Sequence, residues 1–569
     1  MPRSDTSFWA SRGVTLLLAL AAGVAMWAAF PDVAWWPLGI VAVALLHAAL
    51  RRDHAGWGFL AGLVAGLTFF VPHVHWAYEA TALLPWFALA ALAALGFAVF
   101  GMAWVWARRL PWVRDRAWVH VLAFATVWTA VEQWRSEVPF GGFPWGRLAW
   151  SVAGAPTGRS AWLGGSTLVS FLLAGAGALL ALAVARAVAA VREPRARRRH
   201  LVAAGVSAVV AAVAVLGPAA LPLPRAGDEQ QVPSPPVTAA VHVPDRSVFV
   251  DAGIGTAQAG VLQVGAVQGN VNEPGLESFY NRAEVLNNHL DGTRAVAADV
   301  DARAAAGEPH PGVDVVLWPE NGSDLDPQEA QDVALALDDA SADVGAPILV
   351  GAQEFPATGG RYNVLLLWQD GQGVISRYAK QHPAPFGEYI PLRSFVRLFT
   401  DQVDRVTTDM IAATNPPVID LPSERLGRTV RLGTAICFEV AYDEILRDSV
   451  RHGAEVLVVP TNNASFGVTP ESTQQLQMTR IQAIANGRAA VQVSTVGVSG
   501  VVAPDGTLVA RTGLFTADHL SARLPLRTSW TPAIAAGYWP GWTVSASGGL
   551  LALAGLAVSL RRRRQEDAA

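Results

Sequence analysis

The sequence is nearly without cysteine and nearly without lysine. Cys437 is the single cysteine in 569 residues, so no intramolecular disulfide can form and the fold cannot depend on oxidising conditions. Lys380 is the single lysine among 42 lysines and arginines. A chain that writes nearly every cation as arginine, yet keeps one lysine, points to a place that needs a compact ammonium. A leftover core cysteine and a chance surface lysine explain the same two facts. Charge is scarce as well: 15% of residues are Asp, Glu, Lys or Arg, against about 25% in soluble proteins. With 52% hydrophobic residues and a mean hydropathy of +0.31, an ordinary soluble protein is excluded. The net charge of −4 argues against a nucleic-acid partner.

The apolar excess sits in residues 11–217 and 541–560, leaving 221–540 with globular composition. About 20 apolar residues cross the hydrocarbon core as a helix. This predicts eight spans, at 11–30, 33–50, 55–75, 83–107, 117–135, 161–185, 200–220 and 541–560. The first resembles a signal peptide, but more spans follow it, so it reads as a retained helix. Every second loop is basic: Arg51 and Arg52; Arg108, Arg109, Arg114 and Arg116; Arg192, Arg195 and Arg197 to Arg199; and Arg561 to Arg564, with Arg3 and Arg12 before the first span. The positive-inside rule then places both termini in the cytoplasm and 221–540 outside.

Two outer loops carry detail. VPHVHWAYEA (71–80) sets two histidines beside aromatics, and reads as interfacial belt residues before it reads as a metal site. VPFGGFPWGRLAW (138–150) reads as a re-entrant or interfacial loop lining a lipid cavity, or as a surface anchor. The chain divides into a membrane domain over 1–220, a Pro/Gly-rich linker over 221–260, a catalytic domain over 261–530, and a closing span with a basic tail over 531–569.

In the outer domain, strands interleave with helices, which predicts a layered α/β domain. Strands are expected over 261–270, 313–321, 347–355, 362–369, 374–380, 429–436 and from 456, and helices over 276–300, 327–345, 442–454 and 471–488. The stretch 381–427 reads as irregular, and 489–511 as a hairpin turning at Pro504-Asp505-Gly506. Three strand ends carry ionisable residues: Glu320, Lys380 and Cys437. A thiol attacks an acyl carbonyl only as thiolate. A carboxylate in reach can take its proton, and an ammonium with the N–H of Phe438 can steady the oxyanion. Glu388 and Glu439 are further carboxylates able to orient the lysine or the acyl group.

At these residues the sequence resembles the nitrilase (carbon–nitrogen hydrolase) superfamily, and within it the bacterial apolipoprotein N-acyltransferase family. The resemblance rests on FGGFPWG (140–146), VQGN (267–270), LWPE (317–320), YAKQHPAPFGEYIP (378–391), AICFE (435–439), TNNASFG (461–467), LQMTRIQAIANGR (476–488) and GYWPGW (537–542). It implies a polytopic membrane bundle of about eight helices plus an extracytoplasmic α/β domain, an α-β-β-α sandwich. It implies Glu320 as general base, Lys380 as oxyanion-side cation, Cys437 as nucleophile and Glu388 as a second, structural glutamate. Phe438, where the family carries tyrosine, and Glu439 would flank the nucleophile. Asn463 and Ser465 replace an acid and a tryptophan, and Phe279 or Tyr280 stands in for another tryptophan. The implied reaction takes an acyl chain from a membrane phospholipid through a Cys437 thioester to the N-terminal amine of a diacylated apolipoprotein. It needs no metal or cofactor and runs in the bacterial cytoplasmic membrane. Two alternatives remain. A membrane-anchored amidase or nitrilase would use water as acceptor. A transporter would need intramembrane charges, and the spans hold few beyond Glu132.

Overall fold

The computed structural model describes residues 11–224, 245–271 and 282–567. Arg3, Phe279, Tyr280 and positions 225–244 of the expected linker lie outside the described residues. The chain separates into two compact units.

The first unit comprises Met1–His75, Leu83–Leu221 and Ala536–Ala569. Each expected span contains one helix: α1 (Arg12–Ala29), α2 (Pro37–Ala49), α3 (Ala55–His73), α5 (Leu83–Ala107), α7 (Ala117–Arg135), α8 (Ala161–Arg192), α9 (Arg197–Leu216) and α16 (Trp539–Asp567). Among the described residues, six of these (α1, α3, α5, α8, α9 and α16) are long and apolar enough to cross a membrane. α2 has 13 residues. A short helix, α6 (Pro111–Asp115), leads into α7.

The loop 138–150 departs from expectation. Trp145, Leu148 and Trp150 are buried, and within the loop only residues 138–141 are exposed. Arg135, at the end of α7, donates to the carbonyl of Trp145 at 2.7 Å. Glu132 accepts from the N–H of Leu148 at 2.9 Å and from the Trp128 indole at 3.0 Å. The loop is therefore a packed cap on α7, and Glu132 is spent holding it. An ionisable group committed to loop anchoring is not a transport relay, so Glu132 lends the transporter reading no support.

The second unit comprises Trp76–Ala82 and Pro222–Ala535. Its strands are β1 (Val250–Asp251), β2 (Val261–Gln268), β3 (Val315–Leu317), β4 (Ile348–Glu354), β5 (Tyr362–Gln369), β6 (Gly373–Ala379), β7 (Val418–Ser423), β8 (Arg428–Thr434), β9 (Val456–Thr461), β10 (Ala490–Ser494), β11 (Gly500–Val502), β12 (Leu508–Arg511) and β13 (Asp518–Pro525). They form a seven-stranded sheet, β1-β13-β2-β3-β4-β5-β6, and a six-stranded sheet, β12-β11-β10-β9-β8-β7. The apolar faces meet: Val264, Leu317, Leu365 and Leu367 of one sheet share a core with Leu432, Val456, Val458 and Val491 of the other. On the outer face of the first sheet, α10 (Arg282–Ala305) and α11 (Gln331–Val344) bury Val296 and Leu337 against Val316 and Ile348. α13 (Asp443–Arg451) and α14 (Glu471–Asn486) cover the second sheet. The result is an α-β-β-α sandwich.

Three expectations need correction. The stretch 381–427 holds a short helix, α12 (Arg393–Val396), and the regular edge strand β7. The region 489–511 gives three strands, with β10 parallel to β9 and antiparallel to β11, and the Pro504–Gly506 turn joining β11 to β12. In the loop 71–80, Trp76 opens a helix, α4 (Trp76–Thr81), that belongs to the sandwich unit. Trp76 is buried, with its ring 5.0 Å from that of Phe466 and its indole N–H 3.3 Å from the Gln474 side-chain oxygen. It is a packing residue of the sandwich rather than an interfacial belt residue. His73 lies in the other unit, stacked on Phe69 at 4.7 Å.

Candidate active site

Three strand ends drawn from the two sheets build the site. β3 stops at Leu317 and delivers Glu320, β6 stops at Ala379 and delivers Lys380, and β8 stops at Thr434 just ahead of Cys437. Glu320 and Lys380 are 4% and 1% exposed. Close backbone approach positions Glu320: a Cβ on Gly351 of β4 would lie 2.2 Å from the Pro319 carbonyl oxygen and 2.8 Å from the Glu320 Cα. Only glycine lets the 319–321 turn rest there.

Lys380 Nζ donates to Glu320 Oε1 at 3.2 Å and to Glu388 Oε1 at 2.6 Å. Burial alone would lower the lysine pKa, but Glu320 and Glu388, and then Cys437 and Glu439, hold it well above its usual value. It is a fixed cation. Glu320 also accepts from the Asn363 amide at 2.6 Å, and its Oε2 accepts from the N–H of Asn462 at 2.9 Å. A carboxylate offers about four lone-pair sites. Three are filled from the described residues, which leaves room for one proton. Glu388 is oriented by the N–H of Ala384 at 2.6 Å.

Cys437 is half-buried and sits at φ +54°, opening a 3₁₀ turn over Cys437–Ala441. A left-handed backbone at a non-glycine residue costs about 1–3 kcal/mol and persists only where its surroundings impose it. Here the sharp turn from strand to helical turn presents the sulfur at the sheet edge, a strand-to-helix elbow in geometry. Burial pushes the thiol pKa well up and Glu320 adds to this; Lys380, and to a lesser degree the Thr461 hydroxyl, oppose it. The resting sulfur is therefore a thiol, and attack requires proton transfer to a neighbour.

Glu439 is fully buried and pins the elbow. Its carboxyl accepts from the N–H of Ile436 at 2.8 Å, of Gln381 at 2.7 Å and of His382 at 3.0 Å, and from the Tyr378 hydroxyl at 3.0 Å. It ties the segment after Lys380 to the residues flanking Cys437. Phe438 packs edge-on against Tyr442, with centroids 5.4 Å apart. The six residues singled out in the sequence thus gather where strand ends of the two sheets meet, Glu320, Lys380 and Glu388 following strands of one sheet and Cys437, Phe438 and Glu439 a strand of the other.

Four contributors were not singled out. Asn363 and Asn462 orient Glu320, Tyr378 holds Glu439, and Glu471 opens α14 with its carboxyl 2.5 Å from the Asn463 amide. Asn363 had a signal, being a lone polar residue inside the apolar run YNVLLLW. Glu471 had none: burial pushes its pKa up, Asn463 opposes this and Glu320 adds to it, to a value of about 8.

A two-sheet sandwich with a carboxylate, an ammonium and a thiol converging from strand ends defines the carbon–nitrogen hydrolase class. A family model described as carbon–nitrogen hydrolase matches residues 263–530. A second, described as the apolipoprotein N-acyltransferase N-terminal domain, matches residues 22–179. The chain is 36% identical over 530 residues to the apolipoprotein N-acyltransferase of Mycolicibacterium smegmatis, covering 92% of this chain and 82% of that protein. It is 30% identical over 577 residues to the one from Azotobacter vinelandii, covering 97% and 96%. The chain belongs to the apolipoprotein N-acyltransferase family.

Proposed function

We propose that this protein acylates the N-terminal amine of diacylated apolipoproteins, drawing the acyl chain from a membrane phospholipid through a thioester on Cys437. The observation that carries this reading is the convergence of the chain's single lysine and single cysteine on Glu320 in a member of this family. Glu320 takes the thiol proton as the sulfur attacks the ester carbonyl. Lys380 and the N–H of Phe438 stabilise the tetrahedral oxyanion. Collapse expels the glycerol oxygen, which receives the proton from Glu320, and a lysophospholipid departs. The acceptor amine then attacks the thioester, Glu320 receives its proton and the sulfur leaves with it, so an amide and the free thiol result. Glu388 and Glu439 orient Lys380 and the nucleophile turn. Both substrates are lipids, which fits a chain with several apolar helices. The arginine pattern supports an extracytoplasmic sandwich with cytoplasmic termini in the bacterial inner membrane.

Mass spectrometry of the purified protein tests the mechanism. After incubation with phospholipid, the Cys437 peptide should gain one acyl mass and lose it on addition of a diacylated lipopeptide, which becomes triacylated. Absence of the acyl mass removes the thioester. Free fatty acid without triacylated peptide makes water the acceptor and the protein a hydrolase.

A further inference from the structure

Beneath the sulfur lies a buried polar network that the proposed chemistry does not use. Thr461 closes β9 three residues after Val458, which pairs with Thr434 of β8, so it stands alongside Cys437, three residues after Thr434, and it donates to Gln475 Oε1 at 3.0 Å. That oxygen accepts a second bond from Asn463 Nδ2 at 3.1 Å, and the same amide donates to Glu471 Oε2 at 2.5 Å. Asn463 Oδ1 accepts from the Ser494 hydroxyl at 2.6 Å. Glu471, Asn463 and Gln475 are 2%, 3% and 0% exposed. Gly497 makes the space: a Cβ there would fall 2.3 Å from Asn463 Oδ1 and 2.7 Å from the hydroxyls of Ser472 and Ser494.

The donors can be counted. A threonine hydroxyl has one proton, which goes either to Gln475 or to the sulfur. The Asn463 amide, held by Glu471, supplies Gln475 Oε1 with another donor, so the Thr461 proton can turn to the sulfur as negative charge builds there. Glu471 sits in the first turn of α14, where the helix dipole favours its ionised form, yet burial without a cation keeps it protonated near neutral pH. Charged or titratable groups facing it are Glu320 after β3 and Cys437 after β8. Lys380 acts on both of these, and Glu79 of α4 lies near Gly467 on the exposed side. Its contacts from β9 and its neighbours on α14 and β10 (Asn463, Thr461, Gln475 and Ser494) are neutral.

We propose that Glu471 is a positioning residue for Cys437, acting through Asn463, Gln475 and Thr461 to ready the sulfur for acylation. A neutral carboxyl anchors the relay without opposing the thiolate. An ionised one adds a second negative charge beside Glu320. This rests on the acyl-transfer reading for its purpose but not for its test.

Because Cys437 is the only thiol, its alkylation by iodoacetamide can be followed in the full-length protein in detergent as a function of pH. In Glu471→Gln, which keeps shape and hydrogen bonding and cannot ionise, the alkylation midpoint should fall by about half a unit or more, the effect of removing a like charge. The acylation rate of Cys437 by phospholipid at pH 7 should stay within about threefold, because the neutral amide replaces a neutral acid there. Glu471→Ala, which drops the anchor, should slow acylation about tenfold or more at pH 7, the scale of one lost hydrogen-bonded anchor. A midpoint unchanged in Glu471→Gln overturns the proposal, as does acylation in Glu471→Ala equal to wild type. If wild-type protein takes no acyl mass while the midpoint still shifts, the transfer reading fails and the charge coupling stands.

Discussion

Lys380 is the residue on which the electrostatics of the site turn. It is one ammonium among the carboxyl groups of Glu320, Glu388 and Glu439, with a thiol close enough to feel Glu320 and the ammonium itself. Replacing it by methionine keeps the bulk and strands Glu320 and Glu388 in the interior, which should cost about 3–5 kcal/mol of stability at pH 7. Thermal unfolding of Lys380→Met at pH 7 reads this; a melting temperature equal to wild type would contradict it. Lys380→Arg keeps the charge but must fit a fork where a compact head bridges 3.2 and 2.6 Å contacts. Acylation of Cys437 should drop about 100-fold or more, the scale of losing an oxyanion donor. Cys437→Ser, measured by the same mass gain, should show none.

Among elements, the strand ends were legible because apolar alternation is loud, and an ionisable residue at the end of such a run stands out. Glu320 after VVLW, Lys380 after VISRYA and Cys437 after VRLGTAI all came from that contrast. β7 was missed because it is an edge strand carrying Pro422, with only Ile419, Leu421 and Ser423 turned inward. Glu471 was missed because α14 is buried on every side while reading ESTQQLQMTRIQAIAN. A helix whose buried residues are mostly polar has no apolar stripe to betray what it covers. The seat of Glu320 makes its own prediction. In Gly351→Ala the new methyl displaces the 319–321 turn, so acylation should fall about tenfold or more, since a misplacement of about 1 Å at a reacting group costs up to 100-fold. Circular dichroism should retain the wild-type helix and strand content. Wild-type acylation in this variant would mean that the turn yields without moving Glu320.

At the scale of the whole chain, the scarcity of cysteine becomes an experimental asset. Cys437→Ser leaves no thiol, so single cysteines can report sidedness. Glu308→Cys lies on an exposed loop of the sandwich and Arg195→Cys between α8 and α9. In intact spheroplasts a membrane-impermeant maleimide should label position 308 and spare 195 until the membrane is opened. The reverse pattern would invert the topology.

The polypeptide passes between its two units four times, at 75–76, 82–83, 221–222 and 535–536. A soluble enzyme cut out as residues 222–535 would look complete in the linear sequence, yet it would leave behind α4, the one piece of its own packing encoded among the membrane spans. Phe466 and Gln474 would lose their tryptophan cover, a loss of about 3–5 kcal/mol if it matches a core Trp→Ala change. Supplying Trp76–Ala82 back, by fusion or as a peptide, should raise the fragment's melting temperature. Anyone seeking a water-soluble version of this catalyst would do best to carry that seven-residue splint along.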